Sequence, residues 1–460
     1  MSGIAEVFFN QGYQVTGSDV AESDSVRRLQ QMGIPVAIGH SASNIEGARV
    51  VVISSAIRKD NPELLEAKKR RIPVIPRAEM LGELMRGKIG IAVAGTHGKT
   101  TTTSLLASIF TAAGLDPTIV IGGKVDALGG NAKLGRGHYV VAEADESDGS
   151  FLQLPATYGT ITNIDNDHLD HFGDMSAVDD AFVGFVAKLP FYGAVAVCAD
   201  DPGVRRCLDR FTKPFITYGL SGDCDYLAKS LDVSGPGSTF EVFERADGQM
   251  KLLGKISLQI PGRHNVLNAL ASIAISRRAG ISFEAISSGL AAFKGVGRRF
   301  ETKWKSPNGK QVIIDDYGHH PTEIVATLGA ARGYWKGRIL CIFQPHRYTR
   351  TALCKDAFLT AFAQADHVFV TDIYAAGEDP LPGVSGESLA KAIDSRKGKD
   401  QKIQFVGSLD GARDAVHGIM KEGDLVICMG AGSITRLPEM LISQIDSQTK
   451  GTTPGAEVVS

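Results

Sequence analysis

The residues Gly95-Thr96-His97-Gly98-Lys99-Thr100-Thr101-Thr102-Thr103 carry the most specific chemistry in this chain of 460 residues. They follow the apolar run Ile89–Ala94 and precede Ser104–Phe110, whose pattern is helical. A strand, a glycine loop, Lys-Thr and a helix, in that order, build a pocket for a nucleoside triphosphate. Backbone N–H groups of the loop and of the helix N-terminus point at phosphate oxygens, Lys99 adds a point charge, and the Thr100 hydroxyl suits Mg²⁺. The spacing is short: Gly95 lies three positions before Gly98, where the common form of this loop has five.

Carboxylates follow the next strands. Glu143-Ala144-Asp145-Glu146-Ser147-Asp148 comes directly off the apolar strand Tyr139–Ala142. In an open α/β sheet, ligands lie outside the carboxyl ends of the strands, which aims this acidic run at the ligand of the phosphate loop. Mg²⁺ needs one or two carboxylates with phosphate oxygens and water, and Glu143 and its neighbours can supply them. The segment from Thr162 to His171 repeats the pattern after another strand. Its histidines and aspartates admit Zn²⁺, without the usual structural-zinc spacing, or a second Mg²⁺ with His168 as a nitrogen ligand. His171 reads as a helix-capping or surface residue. Further on, Pro261 to Ala269 starts a helix with Asn265 and Asn268 on one face. Asn amides can pair with the donor and acceptor of an adenine edge. On the residues alone, Asn265 reads better as a helix cap.

Two more strand-end loops follow, Asp315-Asp316-Tyr317-Gly318-His319-His320-Pro321 and Gln344-Pro345-His346-Arg347-Tyr348-Thr349-Arg350. Arg347 and Arg350 can fork onto a carboxylate or phosphate. Loops of this kind outside the phosphate-loop domain imply a site that closes between domains. Gly430-Ala431-Gly432-Ser433 is a lone G-x-G and reads as a turn.

The elements that position these groups alternate strand and helix along most of the chain, which predicts α/β domains with parallel sheets. The length exceeds what a single core sustains. We divide it into residues 1–87, 88–297 and 298–446, with a hinge at Gly295-Val296-Gly297 and a polar, disordered tail over 447–460. The first region opens as a helix already under way, followed by a strand over Tyr13–Asp19, and residues 226–260 read as antiparallel. With 43% hydrophobic and 22% charged residues, the composition is that of an ordinary soluble protein. A net charge of −2 gives no general attraction to nucleic acid or membrane. The opening residues do not read as a signal peptide, and no apolar stretch reaches membrane-spanning length. The six cysteines lack any C-x-x-C and read as core residues of a reducing, cytoplasmic protein.

Together these motifs resemble the Mur ligase family, ATP-dependent amide-bond ligases of peptidoglycan precursor synthesis. The family's shortened loop, G-T-[HN]-G-K-[ST]-T, accounts for the spacing at Gly95. The match runs in order through Glu143–Asp148, Thr162–Asp170, Pro261–Asn268, Gly297-Arg298-Arg299-Phe300, Asp315–Glu323 and Gln344–Arg350. The resemblance implies an N-terminal Rossmann-like UDP-binding domain, a central phosphate-loop ATPase domain and a C-terminal Rossmann-like domain. It implies ATP and Mg²⁺, with Gly95, Thr96, His97, Gly98, Lys99, Thr100, Thr101, Asn265, Asn268, Arg298 and Asp316 about the nucleotide. Asn265 then faces adenine rather than capping its helix. Thr100, Glu143 and His168 would hold the metal. Tyr317, His319, His346, Arg347 and Arg350 would surround the incoming amino acid and the sugar carboxylate. Ser18, Asp19, Ser54 and Ser55 would line the UDP-sugar site. Lys99, Glu143, His168, His319, Arg347 and Arg350 would do the catalytic work.

Within the family, the Gln344–Arg350 loop and Tyr317-Gly318 favour a ligase joining L-alanine to UDP-N-acetylmuramate through an acyl phosphate. The partners are then small molecules, with the protein a monomer or weak homodimer. The rival readings are a recycling ligase that attaches a whole peptide and a regulatory nucleotide-binding homologue with impaired turnover. Family members also carry a first strand and glycine loop ahead of the segment matching Met1-Ser2-Gly3. The expectation is that Met1 is an internal methionine or that the UDP-binding domain lacks this central strand.

Overall fold

The structure, a computed structural model, describes residues 1–54, 56–125 and 130–451, without the side chains of 123–125, 130, 170 and 448–451. Packing divides the chain into two compact units. One holds Met1–Leu231, Thr239–Leu258 and Asn265–Lys294; the other holds Asp232–Ser238, Gln259–His264 and Gly295–Ser460. Residues 1–87 thus pack with the central sheet, and the change of unit after Lys294 falls at the glycine pair expected to form a hinge. Two short stretches inside 88–297 go with the C-terminal unit instead.

The first unit begins with the helix Ser2–Asn10. It ends in a left-handed Gly12, with Gly12 N–H donating to Phe9 O and Tyr13 N–H to Phe8 O. This is the Schellman arrangement. It draws Tyr13 into the helix end, edge-on to Phe8, so the strand expected from Tyr13 is only β1 (Gly17–Asp19). β1 pairs in parallel with β2 (Val36–Ile38), and β3 (Val51–Ile53) with β4 (Val74–Pro76). Among the described residues no strand joins the two pairs. Ile4 and Val7 of the first helix, with Leu81 and Met85 of the helix Arg77–Met85, share one buried cluster with Ala92, Val140 and Phe182 of the central region. That shared core is why both regions form a single unit.

The central sheet contains β5 (Ile89–Ala94), β6 (Thr118–Val125), β7 (Gly130–Lys133), β8 (Tyr139–Glu143), β9 (Tyr158–Ile161) and β10 (Ala194–Cys198). β11 (Phe215–Gly219), β12 (Tyr226–Asp232), β13 (Ser238–Ala246) and β14 (Gln249–Leu258) complete it. Its order is β14-β13-β12-β11-β10-β9-β5-β8-β6-β7. β5 is parallel to both neighbours, β8 and β9, and its residues Ile91–Ala94 are fully buried. A parallel strand covered on both faces reads as an unbroken apolar run, which made β5 legible. The link Asp247-Gly248 has φ of 54° and 75°, the two-residue turn that suits a twisted hairpin between β13 and β14.

The second unit is built on β15 (Glu301–Lys305), β16 (Val312–Asp316), β17 (Ile339–Phe343), β18 (His367–Thr371), β19 (Lys402–Gly407) and β20 (Leu425–Met429). The order is β15-β16-β20-β17-β18-β19, parallel except for β15 against β16. Side chains alternate between two cores: Ile314, Cys341 and Phe343 on one face, Ile313, Leu340 and Ile342 on the other. All six cysteines are buried, and none is in a disulfide. The last helix, Leu437–Gly451, runs past Ser447, where composition suggested a disordered tail. Leu437 and Leu441 are buried in the core, and Ile442 and Ile445 pack against it, carrying the helix onward. Residues 452–460 lie outside the described ones. No described helix is long and apolar enough to cross a membrane.

Candidate active site

β5 sits between β8 and β9, so the loops leaving the carboxyl ends of these three strands converge. Such a reversal of strand order is where an open α/β sheet leaves a ligand crevice. The loop after β5 is the phosphate loop. Gly95 has φ of 124°, and a Cβ there would lie 2.0 Å from Thr162 Oγ1; Gly98 has φ of 83°, and a Cβ would meet Asn268 Oδ1 at 2.6 Å. Both glycines answer to left-handed backbone and close approach together. Gly98 caps the helix Lys99–Ala112, whose first turn contains the buried Thr100 and Thr101.

Loop side chains tie this turn to β9. Thr96 Oγ1 accepts from Asp165 N–H at 3.0 Å, His97 N–H donates to Asn163 Oδ1 at 2.9 Å, and the His97 ring meets Asp165 Oδ2 at 3.0 Å. The Lys99 and Thr100 side chains face the end of β8 and the turn after it. Lys99 Nζ donates to Gly95 O at 2.8 Å, Thr96 O at 3.0 Å and Glu146 Oε1 at 2.8 Å. Thr100 Oγ1 donates to Glu143 Oε1 at 2.7 Å, and Gly122 N–H donates to Glu143 Oε2. His168, in left-handed backbone with φ of 60°, brings Nε2 to 3.9 Å from Glu146 Oε1. Burial would lower the Lys99 ammonium, but the carboxylates of Glu146, Asp145 and Glu143 outweigh it and hold the group above its ordinary value. Burial raises the Glu146 carboxyl, with Lys99 only partly opposing it.

Glu146 was named in the acidic run but not singled out. It is the carboxylate turned onto Lys99, and its second oxygen, Oε2, is buried with no hydrogen-bond partner. The donors gathered here are a threonine hydroxyl, two carboxylates and one imidazole. Hard oxygens of this kind fit Mg²⁺ between protein and phosphate. Asn265 lies inside the helix Arg263–Arg278 and not at its cap. The helix begins two residues earlier, at Arg263, so the buried Asn265 amide accepts from Asn268 Nδ2 at 3.3 Å. Asn268, through its approach to Gly98, places this amide pair beside the phosphate loop.

In the N-terminal region Ser18 Oγ donates to Glu63 Oε2 at 2.8 Å and lies 3.0 Å from His40 Nδ1. Asp19 ends β1 and accepts from Ala21 N–H at 3.3 Å. Ser54 follows β3, its carbonyl accepting from Ile57 N–H at 3.1 Å. Ser55 lies outside the described residues.

In the second unit, the carboxyl ends of β16, β20, β17 and β18 form another cluster. Asp316 ends β16, buried, and accepts from Phe300 N–H at 2.7 Å, Gly318 N–H at 2.8 Å and Thr327 Oγ1 at 3.2 Å. Burial raises its carboxyl, with Arg299 opposing. Arg298 Nη2 donates to Gly430 O at 2.6 Å, and the guanidinium groups of Arg298 and Arg299 lie 4.9 and 4.8 Å from the Tyr317 ring centre. Gly430, read as part of a simple turn, is an anchor for Arg298. Glu323, not singled out from the sequence, accepts from His319 and His320 N–H at 3.0 and 3.2 Å and fixes the two-histidine turn. His319 Nδ1 lies 3.1 Å from Tyr317 O. A carbonyl only accepts, so Nδ1 carries a proton. The rings of His319 and His346 are 5.8 Å apart, and Arg350 Nη1 donates to His346 Nδ1 at 3.3 Å. Arg347, beside them, has φ of 69°. Tyr317, His319, His346, Arg347 and Arg350 therefore form one basic, aromatic cluster.

Comparison with known proteins identifies the family. Family models match residues 1–89 (Mur ligase family, catalytic domain), 93–276 (Mur ligase middle domain) and 298–432 (Mur ligase, glutamate ligase domain). The chain is 51% identical to the UDP-N-acetylmuramate–L-alanine ligase of Trichlorobacter lovleyi, over 97% of this chain and 96% of that protein. It is 53% identical to the ligase of the same name from Solidesulfovibrio magneticus, over 94% and 93%. Among solved structures it resembles the UDP-N-acetylmuramate-alanine ligase of Thermotoga maritima, with a TM-score of 0.82, 30% identity and 97% of each chain covered. With its shortened phosphate loop, strand-end carboxylates and near full-length likeness to these enzymes, the chain belongs to the Mur ligase family.

Proposed function

We propose that this chain is an ATP-dependent ligase that joins L-alanine to the carboxylate of UDP-N-acetylmuramate, releasing ADP and phosphate, in cytoplasmic peptidoglycan precursor synthesis. The observation that carries it is the convergence of Lys99, Thr100, Glu143 and Glu146 at the β5–β8 strand ends, in a chain about half identical to enzymes of that name.

A carboxylate resists attack by an amine, so it must first be activated. Its oxygen attacks the γ-phosphorus of ATP, the bond from that phosphorus to the bridging oxygen breaks, and ADP leaves. The amine of L-alanine then attacks the acyl carbon, a tetrahedral oxyanion forms, and its collapse expels phosphate with the original carboxylate oxygen. Little covalent chemistry falls to the protein, whose work is positioning and charge stabilisation. Lys99 and the loop N–H groups meet the phosphates. Thr100, Glu143 and His168 would hold Mg²⁺, which neutralises phosphate charge when bound. Asn265 and Asn268 would face the adenine, and Arg298 and Asp316 are assigned to nucleotide binding. Arg347 and Arg350 fork onto the L-alanine carboxylate, beside Tyr317 and His346. His319 Nε2 takes the amine proton. Ser18, Asp19, Ser54 and Ser55 line the UDP-sugar site.

ADP release tests the substrate assignment. With UDP-N-acetylmuramate, ATP and Mg²⁺, L-alanine should support turnover well above glycine, L-serine or a tripeptide. A preference for the tripeptide would instead identify a peptide-recycling ligase, and no ADP with any acceptor would remove the ligase reading.

A further inference from the structure

The loop that carries His346, Arg347 and Arg350 is short, and Arg347 stands in left-handed backbone that a non-glycine residue occupies only when its surroundings impose it. The imposing contacts come from one segment after β18. Arg347 N–H donates to Tyr374 O at 2.9 Å and Tyr374 N–H donates to Pro345 O at 2.8 Å. His346 and Tyr374 form a parallel bridge, which extends the β17–β18 pairing past both strand ends. The Tyr374 ring stacks on the His346 ring, with centres 5.6 Å apart and planes 14° from parallel.

Four residues on, Glu378 accepts from Thr349 N–H at 3.0 Å and from Thr349 Oγ1 at 2.6 Å. Thr349 lies in the first turn of the helix Tyr348–Leu353, which also bears Arg350. A carboxylate at this point satisfies an exposed N–H of the helix start and sets the direction in which the helix leaves the strand. Arg350 then donates to His346 Nδ1 at 3.3 Å, and since a guanidinium only donates, the His346 proton is on Nε2. The ring is thus stacked on one side, accepts from Arg350 at one nitrogen, and presents a defined N–H at the other.

We propose that Tyr374 and Glu378 are positioning residues for the amino-acid half of the reaction: they hold the His346–Arg350 loop in the conformation that presents its arginines and the His346 N–H to the L-alanine carboxylate. This rests on the function proposed above. Neither residue need touch substrate. Tyr374 is exposed and Glu378 is only partly covered, so their substitution spares the hydrophobic core.

The test is steady-state kinetics on the full chain with UDP-N-acetylmuramate, ATP and L-alanine. Tyr374→Ala and Glu378→Gln should each raise KM for L-alanine by about tenfold, the usual scale for a charge-assisted contact, with KM for ATP nearly unchanged. Tyr374→Phe keeps the ring and the backbone and should stay within about twofold of the parent. Thr349→Val removes the hydroxyl half of the Glu378 contact and keeps the N–H half, so it should raise KM for L-alanine in the same direction as Glu378→Gln, and the proposal stays testable if one variant does not fold. ADP binding by calorimetry should match the parent in every folded variant. A parallel rise in KM for all three substrates, or an unchanged KM for L-alanine, would overturn the positioning role. Failure of the unsubstituted chain to turn over L-alanine would instead overturn the function on which it rests.

Discussion

Lys99 Nζ lies 2.8 Å from Glu146 Oε1, in a largely buried ion pair at the mouth of the phosphate loop. Phosphate oxygens arriving at this loop meet a lysine already committed to a carboxylate, beside a threonine committed to Glu143. The Lys99 and Thr100 side chains are thus held in place by the two carboxylates of β8 and its following turn.

This pairing makes Lys99→Met costly twice over. Activity should fall by at least about 10²-fold, the scale for losing one electrostatic contact to a transition state. Stability should fall by about 3–5 kcal/mol, because Glu146 stays buried without its countercharge. The double variant Lys99→Met with Glu146→Gln should recover most of the stability and none of the activity. Chemical denaturation of the three proteins checks this, and a double variant no more stable than Lys99→Met would show that the pair is not coupled.

Glu143→Gln keeps the shape of the side chain but removes the charge beside Thr100. The Mg²⁺ concentration needed for half-maximal ADP release should rise by at least about tenfold, since metal sites are sensitive to their carboxylates at this level. An unchanged Mg²⁺ requirement would argue that the metal is held elsewhere.

These residues were not equally legible. The loop at 95–103 could be read because strand, glycines and helix are local in sequence, and the buried run of β5 announced its own strand. That Glu146 rather than Asp145 turns onto Lys99 depends on the turn after β8, where Asp145 instead accepts from Ser147 N–H at 3.1 Å. Composition alone treats those carboxylates alike. Tyr374 and Glu378 could not be found from sequence because they meet the His346–Arg350 loop only through the pairing of β17 with β18. The three-residue spacing of Asn265 and Asn268 was sufficient to put both on one face. The helix start was misjudged because Asn is also a common cap.

His264 gives a pH signature independent of catalysis. Burial lowers its imidazole to about 4, with Arg299 adding to the effect and Glu323 opposing it. The unfolded chain, with an ordinary value near 6.5, takes up the proton first. Stability therefore falls as the pH drops from about 6.5 toward 4 and levels off below that. His264 as a whole residue is only partly covered, and a loss on the order of 1–2 kcal/mol between pH 7 and pH 5 is expected. His264→Gln should remove this component. Denaturation midpoints of parent and variant at both pH values check it, and equal pH sensitivity in the two would contradict it.

Activation of the sugar carboxylate by phosphoryl transfer is tested most directly by following its oxygen. With UDP-N-acetylmuramate labelled with ¹⁸O in the carboxylate, ATP, Mg²⁺ and L-alanine, the inorganic phosphate released should carry one ¹⁸O atom for each amide formed. Unlabelled phosphate accompanying amide formation, or label recovered in AMP, would contradict an acyl phosphate built at Lys99.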